Sequence, residues 1–363
     1  SYLSRHLLEQ IKGPAGLITT VETWMGPTSR APSQFTTHDA VTNQRALKEM
    51  LLKGCASAVL ECSSHGLSQG RVDEIRFQRA LFTNLAPDHL DYHKSLQEYA
   101  KAKRILFEKL DGVALLNGDD PWAPFFAEAT DASLTFGLSD KVAVRGHPLS
   151  FDAQGIRFEV TFQAQKELFT TPLLGRFNLY NLLGAISLAL SLGAPLASLV
   201  EPIATFEGVP GRLQKIAHPS GVTLFIDYAH TGPSLRFVLE TLRELGPKRL
   251  FTLFGAGGSR DPQRRPQMGE AAAHLADHTF ITTDNPRTED PKKISEEIFS
   301  SFHSAPHKAE ILLDRREAIF EAVKRLQPGD FLLIAGKGHE EGQIFAHETL
   351  PFNDLEVAKS ALL

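Results

Sequence analysis

Four short apolar runs in the second half of the chain, at 222–227, 250–254, 279–283 and 331–335, each stop abruptly at a polar cluster. The clusters are Asp227-Tyr228-Ala229-His230, Gly255-Ala256-Gly257-Gly258-Ser259-Arg260-Asp261, Asp284-Asn285-Pro286-Arg287 and Gly336-Lys337-Gly338-His339-Glu340. Segments of helical spacing at 234–245, 267–276 and 294–302 separate the runs, and a further strand is expected at 343–345. This rhythm predicts an α/β fold, a parallel sheet covered by helices. In such sheets ligands bind outside the carboxyl ends of the strands. A glycine after one strand is ordinarily only a turn. Four clusters at equivalent places imply one crevice, with arginines for anionic groups and acids for amines.

The first half shows a related pattern that begins differently. Residues 1–12 read as a helix with Leu3, Leu7 and Leu8 on one face, where a doubly wound unit normally starts with a strand. Strands are expected at 16–21, 57–61, 80–83 and 113–117, and a helix at 46–52. Residues 151–171 alternate apolar and polar side chains around Gly155, the mark of an antiparallel excursion, and 178–192 form an apolar helix. Gly208, Pro210 and Gly211 make a linker. The domains are therefore read as 1–209 and 210–363, in a chain of 363 residues that is long for one core.

The formal net charge of -5 argues against a general nucleic-acid binder. The two cysteines, Cys55 and Cys62, lie in an apolar stretch, which fits a reducing compartment better than a disulfide framework. No apolar run is long enough to span a membrane, and no signal peptide is legible at Ser1.

Two clusters in the first half invite chemistry. Glu61, at the end of a strand and followed by Cys62-Ser63-Ser64-His65-Gly66-Leu67, reads equally as a metal ligand and as a helix-capping acid. Asp88-His89-Leu90-Asp91-Tyr92-His93 offers oxygen and imidazole ligands, or a capped helix start with solvated side chains. Lys101, Lys103 and Arg104 follow on the next helix, ordinarily a solvated face. A lysine held near metal ligands has a second option, because a neutral amine can take up CO2 and become a carboxylate.

Taken together, Glu61 to Leu67 and Asp88 to His93 resemble the Mur ligases, and Asp227-Tyr228-Ala229-His230-Thr231 with Asp284-Asn285-Pro286-Arg287 narrows the resemblance to the MurE type. It runs in order along the whole chain. It implies a central ATPase-type parallel-sheet domain, its phosphate-loop strand missing, followed by a Rossmann-like C-terminal domain. It implies a cytoplasmic, monomeric enzyme that uses ATP and Mg2+ to add meso-diaminopimelate to UDP-MurNAc-L-Ala-D-Glu, without nucleic acid or membrane insertion. By position, Thr36, Thr37, Ser63, Gln69 and Arg71 correspond to contacts with the nucleotide precursor. Glu61 and His89 correspond to magnesium-site residues, and Lys103 to the lysine that is carbamylated in the family. Asn84, Asn178, Arg212 and Asp227 correspond to residues near ATP, Arg212 beside the phosphates. Arg260, Asp284, Asn285, Pro286, Arg287, Gly336 and Glu340 correspond to the amino-acid pocket, in which Arg287 grips a carboxylate and Glu340 receives the distal ammonium.

The family's phosphate loop, Gly-Thr-x-Gly-Lys-Thr, and its uridine-binding domain are expected upstream of Ser1, so these residues alone are expected to be inactive. Ser259 stands where the family commonly has Asp, and Gly232-Pro233-Ser234 replaces the usual Pro-Asp-Ala. The competing readings are the related folylpolyglutamate synthases, against which Asp-Asn-Pro-Arg and Ser-Ser-His-Gly-Leu speak, and a binding module without catalysis.

Overall fold

The computed structural model describes residues 1–363, apart from the side chain of Asp91, so that member of the sequence motif lies outside the described residues. The chain divides into two compact units, Ser1–Glu207 and Gly208–Leu363.

The first unit holds two sheets. In one, strands Ala15–Ile18 and Ser57–Leu60 pair in parallel, and Glu22–Trp24 and Arg30–Pro32 extend the sheet antiparallel. The strand expected at 16–21 ends at Ile18 because the Thr19 hydroxyl accepts hydrogen bonds from the Val21 and Glu22 amides, folding the chain into a turn. The helix expected at 46–52 starts earlier, at Ala40, where the Asp39 carboxylate accepts the Thr42 amide as an N-cap. In the other sheet, Phe77–Phe82, Leu110–Asn117, Ser133–Gly137 and Val144–Asp152 are successive parallel neighbours. Gly155–Phe162 and Gln165–Thr171 then add the antiparallel excursion.

Val59 of the first sheet and Leu81, Val113 and Leu134 of the second pack on one cluster with Leu8, Ala15, Leu115 and Leu188. Helix Arg176–Ser191 buries Leu179, Leu182, Leu183 and Ile186. A helix apolar nearly all round is a core helix, and each such side chain contributes about 1.5–3 kcal/mol by leaving water.

The second unit is built on a six-stranded sheet, with a separate antiparallel pair, Gly342–Ile344 and Thr349–Pro351, accounting for the strand expected at 343–345. The order of the six-stranded sheet is Gln214–Ala217, Thr223–Asp227, Phe331–Ala335, Leu250–Phe254, His278–Ile281, Ala309–Ile311. All but the first are parallel. The central strands are buried on both faces, which explains their unbroken apolar sequence. Leu224, Ile226, Leu253, Phe280, Leu332 and Ile334 meet Ile319 and Ala322 of helix Arg315–Lys324 and Val357 and Ala358 of the last helix, Asp354–Leu362. Since four adjacent parallel strands end at Asp227, Ala335, Phe254 and Ile281, the four polar clusters emerge side by side on one edge.

Candidate active site

In the first unit, Glu61 follows strand Ser57–Leu60 directly. Its Oε2 accepts the Thr20 amide at 2.9 Å and the Thr20 hydroxyl at 3.1 Å, and that hydroxyl meets Thr36 Oγ1 at 2.8 Å. The buried Thr37 hydroxyl donates to the Glu61 carbonyl at 2.8 Å and accepts the Ser63 amide at 2.9 Å. Ser63 caps the short helix Ser64–Ser68 by accepting the Gly66 amide. Arg71 donates to the Thr37 carbonyl at 2.7 Å and, through Nε and Nη2, to Gln69 Oε1, while the Gln69 amide reaches Tyr92 at 3.4 Å. Thr36, Thr37, Glu61, Ser63, Gln69 and Arg71 thus form one connected layer. The Thr37 hydroxyl is engaged by backbone and acts as a latch between Glu61 and Ser63.

The segment 88–93 holds a cluster of rings and a one-turn helix, Leu90–His93. The N-cap residue His89 makes no side-chain capping bond, so the capped helix start expected there is not formed. The Asp88 carboxylate accepts the His89 amide, and His89 takes a left-handed conformation with φ 52°. A non-glycine residue held there is a local cost that marks a constrained site. His93 is buried and pairs with Ser64 Oγ at 2.9 Å, which commits it to the fold. The exposed His89 ring lies 4.9 Å from the His65 ring, and the His65 and Tyr92 ring centres lie 4.1 Å apart with their planes tilted by 38°.

Among the three cations of helix Leu96–Glu108, Lys101 pairs with Glu98 and Arg104 with Glu108 and the Phe125 carbonyl. Lys103 instead lies with Nζ 5.0 Å from the Tyr99 ring centre. Burial depresses the Lys103 amine below the usual lysine range, opposed by the charges of Asp88, Cys62 and Glu61. Burial also pushes the neighbouring Cys62 thiol up to about 12, with the Glu61 charge adding to the shift.

This donor set bears on the magnesium reading. Glu61 Oε2 is engaged while Oε1 accepts no hydrogen bond among the described residues, and His89 is exposed. No group of three or more His, Cys, Asp and Glu side chains close enough to hold a metal occurs among the described residues. A protonated Lys103 would repel a cation, whereas its carbamate would supply an oxygen donor. As they stand, with Lys103 an amine, the described residues do not form a cluster that could hold a metal ion.

The residues expected near ATP divide between the units. Asn84 is exposed beyond the end of strand Phe77–Phe82. Asn178, in the first turn of helix Arg176–Ser191, donates to the Leu174 carbonyl and accepts from Asn181. Arg212 and Asp227 belong to the second unit, where the Arg212 guanidinium stacks on Tyr228 at 4.9 Å. The buried Asp227 carboxylate accepts the Leu213 amide at 2.6 Å and the Ala229 amide at 2.7 Å. Burial pushes this carboxyl above its ordinary range, and the two amides and Arg212 hold it back. Asp227 therefore clamps the chain on either side of the strand end.

The cluster expected to receive the amino acid is the most closely knit. Asn285 Oδ1 accepts Lys337 Nζ and the Ile344 amide, both at 3.0 Å, and Asn285 Nδ2 donates to Glu340 Oε2 at 2.9 Å. Lys337 Nζ also donates to Glu340 Oε2 at 3.0 Å. Burial raises the Asp284 carboxyl, offset by Lys337 and Arg315 and reinforced by Glu340. Gly336 has φ 108°, and a Cβ there would lie 2.5 Å from Asp284 Oδ2, so only glycine fits between strand and carboxylate. Arg287, with φ 52°, donates through Nη1 to the Gly258 carbonyl at 2.8 Å, tying the third cluster to the second. Glu289 fastens the same two loops by accepting the Ser259 amide and Arg265. Pro286 and Arg287 line a cleft of about 380 Å³ with Phe345 and His347. Arg260 is exposed on the glycine-rich loop. A larger cleft, about 690 Å³, is lined by Glu310, Phe320 and Arg325 and contains none of the expected site residues.

Lys337 and Arg315 were not singled out as site residues by the sequence. Lys337 stood inside a noted cluster and could have been found as a lysine flanked by two glycines. Arg315 lies in a helix with no motif around it.

Residues 1–189 match the Mur ligase middle domain, and residues 211–338 match the Mur ligase glutamate ligase domain. The chain belongs to the Mur ligase family. Within that family it is of the MurE type: it is 40% identical over its whole length, and over 74% of the relative's, to the UDP-N-acetylmuramoyl-L-alanyl-D-glutamate--2,6-diaminopimelate ligase of Thermosynechococcus vestitus. It is 39% identical to the ligase of the same name from Gloeobacter violaceus, covering 98% of this chain and 74% of that one. The chain thus spans about three quarters of the length of these relatives. A solved structure with that ligase title superposes with a TM-score of 0.73 at 34% identity, over 99% of this chain and 75% of that one. A MurF structure from Acinetobacter baumannii reaches 0.71 at 17% identity, over 99% and 74%, a likeness of fold alone.

Proposed function

We propose that this chain is the catalytic and amino-acid-selecting part of an ATP-dependent, cytoplasmic amide ligase that adds meso-diaminopimelate to UDP-MurNAc-L-Ala-D-Glu. The observation that carries the reading is the second-unit network of Asp284, Asn285, Arg287, Lys337 and Glu340. It sets two acids and a guanidinium at one sheet edge, complementary to a ligand end that bears both an ammonium and a carboxylate. Lysine lacks the second carboxylate and would leave Arg287 without its ligand partner.

The proposed division of labour follows the two units. Residues 1–209 would hold the precursor and contribute Asn84 and Asn178 toward ATP, and 210–363 would hold the amino acid and contribute Arg212 and Asp227 toward ATP. The γ-carboxylate of D-glutamate in the precursor takes the terminal phosphoryl group of ATP, releasing ADP. The amine of diaminopimelate then attacks the acyl phosphate, loses a proton and displaces phosphate. Such transfers depend on alignment and charge neutralisation. Magnesium, held by Glu61, His89 and carbamylated Lys103, would neutralise phosphate charge. Arg212 would act beside the phosphates, and Asn178 and Asp227 near the adenine and ribose. Thr36, Thr37, Ser63, Gln69 and Arg71 would orient the precursor. The depressed proton affinity of Lys103 supports carbamylation, because the neutral amine is the form that reacts with CO2.

Calorimetric titration of this chain with meso-diaminopimelate and with L-lysine tests the reading. Tighter binding of diaminopimelate is expected, and equal or preferred binding of lysine contradicts it.

A further inference from the structure

We propose that Lys337 is a specificity-determining positioning residue: its buried ammonium, bonded to Asn285 and Glu340, sets the pocket charge so that the site accepts an amino acid with a zwitterionic rather than a cationic distal end. This rests on the amino-acid pocket proposed above and goes beyond it by naming what balances the pocket's acids.

The Lys337 side chain is 0% exposed, the only lysine among the fully buried large side chains. A lysine is rarely buried unless paired, because a desolvated charge is costly. The backbone is shaped to bury it. Gly336 and Gly338 flank it with φ 108° and 54°, and a Cβ at Gly338 would lie 2.8 Å from both the Gly211 carbonyl oxygen and Tyr228 Cβ. The left-handed turns on either side direct Nζ to Asn285 Oδ1 and Glu340 Oε2, each at 3.0 Å.

Two consequences follow. The first is geometric. Asn285 Oδ1 receives two donors, Lys337 and the Ile344 amide, so the Asn285 amide is fixed with Nδ2 toward Glu340. Glu340 Oε2 is filled by Lys337 and Asn285, and its Oε1 remains for a ligand amine. The second is electrostatic. Asp284 and Glu340 repel one another, and Lys337 is the cation whose charge most strongly lowers the energy of ionised Asp284, ahead of Arg315. With Lys337 and the Arg287 guanidinium both charged, the two acids are offset and a ligand end of zero net charge is matched. Without it the pocket is one unit more negative, which favours lysine. The ammonium and carboxylate of a zwitterionic end respond in opposite directions and largely cancel.

The test measures affinities of this chain for meso-diaminopimelate and L-lysine by calorimetry, in the wild type and in Lys337→Met and Lys337→Gln. At a separation of about 6 Å and an effective dielectric of about 20, loss of one unit charge should move the diaminopimelate-to-lysine preference toward lysine by roughly tenfold to a hundredfold. A purely structural lysine would weaken both ligands by the same factor, and that result overturns the proposal. If the methionine variant does not fold, as read by circular dichroism, the glutamine variant carries the measurement. A wild-type comparison needs no variant: lysine should bind no more tightly than norleucine, whose distal end is neutral, and a tenfold advantage for lysine overturns the charge balance. A wild type that binds neither diaminopimelate nor lysine overturns the pocket reading itself, and this inference with it. A wild type that prefers diaminopimelate while the variants keep that preference overturns the inference alone.

Discussion

The proposed amino-acid pocket stands on a buried ion pair whose loss should be felt in both stability and binding. Arg315 and Asp354 are each 0% exposed at the side chain. Arg315 Nε donates to Asp354 Oδ1 at 2.8 Å and Nη2 to Oδ2 at 2.7 Å, a bidentate pair. Nη2 also donates to the Ala335 carbonyl at 2.9 Å, one residue before Gly336 and the Lys337–Glu340 network. Asp354 opens the last helix, so the pair ties the end of the chain to the strand that presents the pocket. Asp354→Ala leaves a guanidinium without its counter-ion in the core. Breaking one side of such a pair costs about 3–5 kcal/mol. For a unit of this size each kcal/mol moves the midpoint by roughly 2–4 °C, so the second unit should melt about 6–20 °C lower. Urea denaturation and calorimetry would measure it. The double replacement Arg315→Met with Asp354→Leu should recover most of the loss, since an apolar pair of similar volume is often no less stable. A single-variant loss below about 1 kcal/mol would refute the reasoning, as would a double variant no better than the single one.

Four further outcomes are expected. Lys103→Ala in a ligation-competent protein should lower turnover at least a hundredfold while changing stability by less than about 1 kcal/mol, and normal turnover would contradict the carbamate role. Because burial depresses the Lys103 amine, the folded state binds fewer protons there than the unfolded state between the depressed and the ordinary pKa; its charge penalty on stability is present at low pH and is relieved as pH rises through the folded value toward the ordinary one. Carbamate formation, followed by labelled CO2, should accordingly begin at lower pH than for a free lysine, and an unshifted onset would count against it. Arg287→Ala should cut the preference for diaminopimelate over lysine by about tenfold to a hundredfold if the guanidinium holds the distal carboxylate, an unchanged ratio removing it from the pocket. Gly336→Ala should abolish amino-acid binding, since its Cβ would meet Asp284 Oδ2 at 2.5 Å with φ at 108°, and retained affinity would show that the loop can shift.

The buried parallel strands were the most legible part of the sequence. Leu250–Phe254 and Phe331–Ala335 fall where their unbroken apolar runs placed them, because burial on both faces leaves no polar alternation to blur the ends. Short and half-exposed elements were less legible. The hairpin of Glu22–Trp24 and Arg30–Pro32 has three-residue strands, one of them wholly exposed, too short to show a period. Helix Arg315–Lys324 buries only a narrow stripe around Ala318, Ile319 and Ala322 amid charged residues, which hides its amphipathic pattern. In the site, the motif residues were legible by resemblance, whereas their supports were not. The two flanking glycines mark Lys337 as part of a tight turn but not as buried, and Arg315 and Asp354 are thirty-nine positions apart and meet only in the fold.

The proposed role of the second unit is to carry a pocket selective for an amino acid with an ammonium and a carboxylate at its distal end. Calorimetric comparison of meso-diaminopimelate with L-lysine on this chain tests it most directly. Diaminopimelate is expected to bind at least about tenfold more tightly than lysine, and that preference is expected to be lost in Arg287→Ala. Equal affinity for the two amino acids, or tighter binding of lysine, would contradict it.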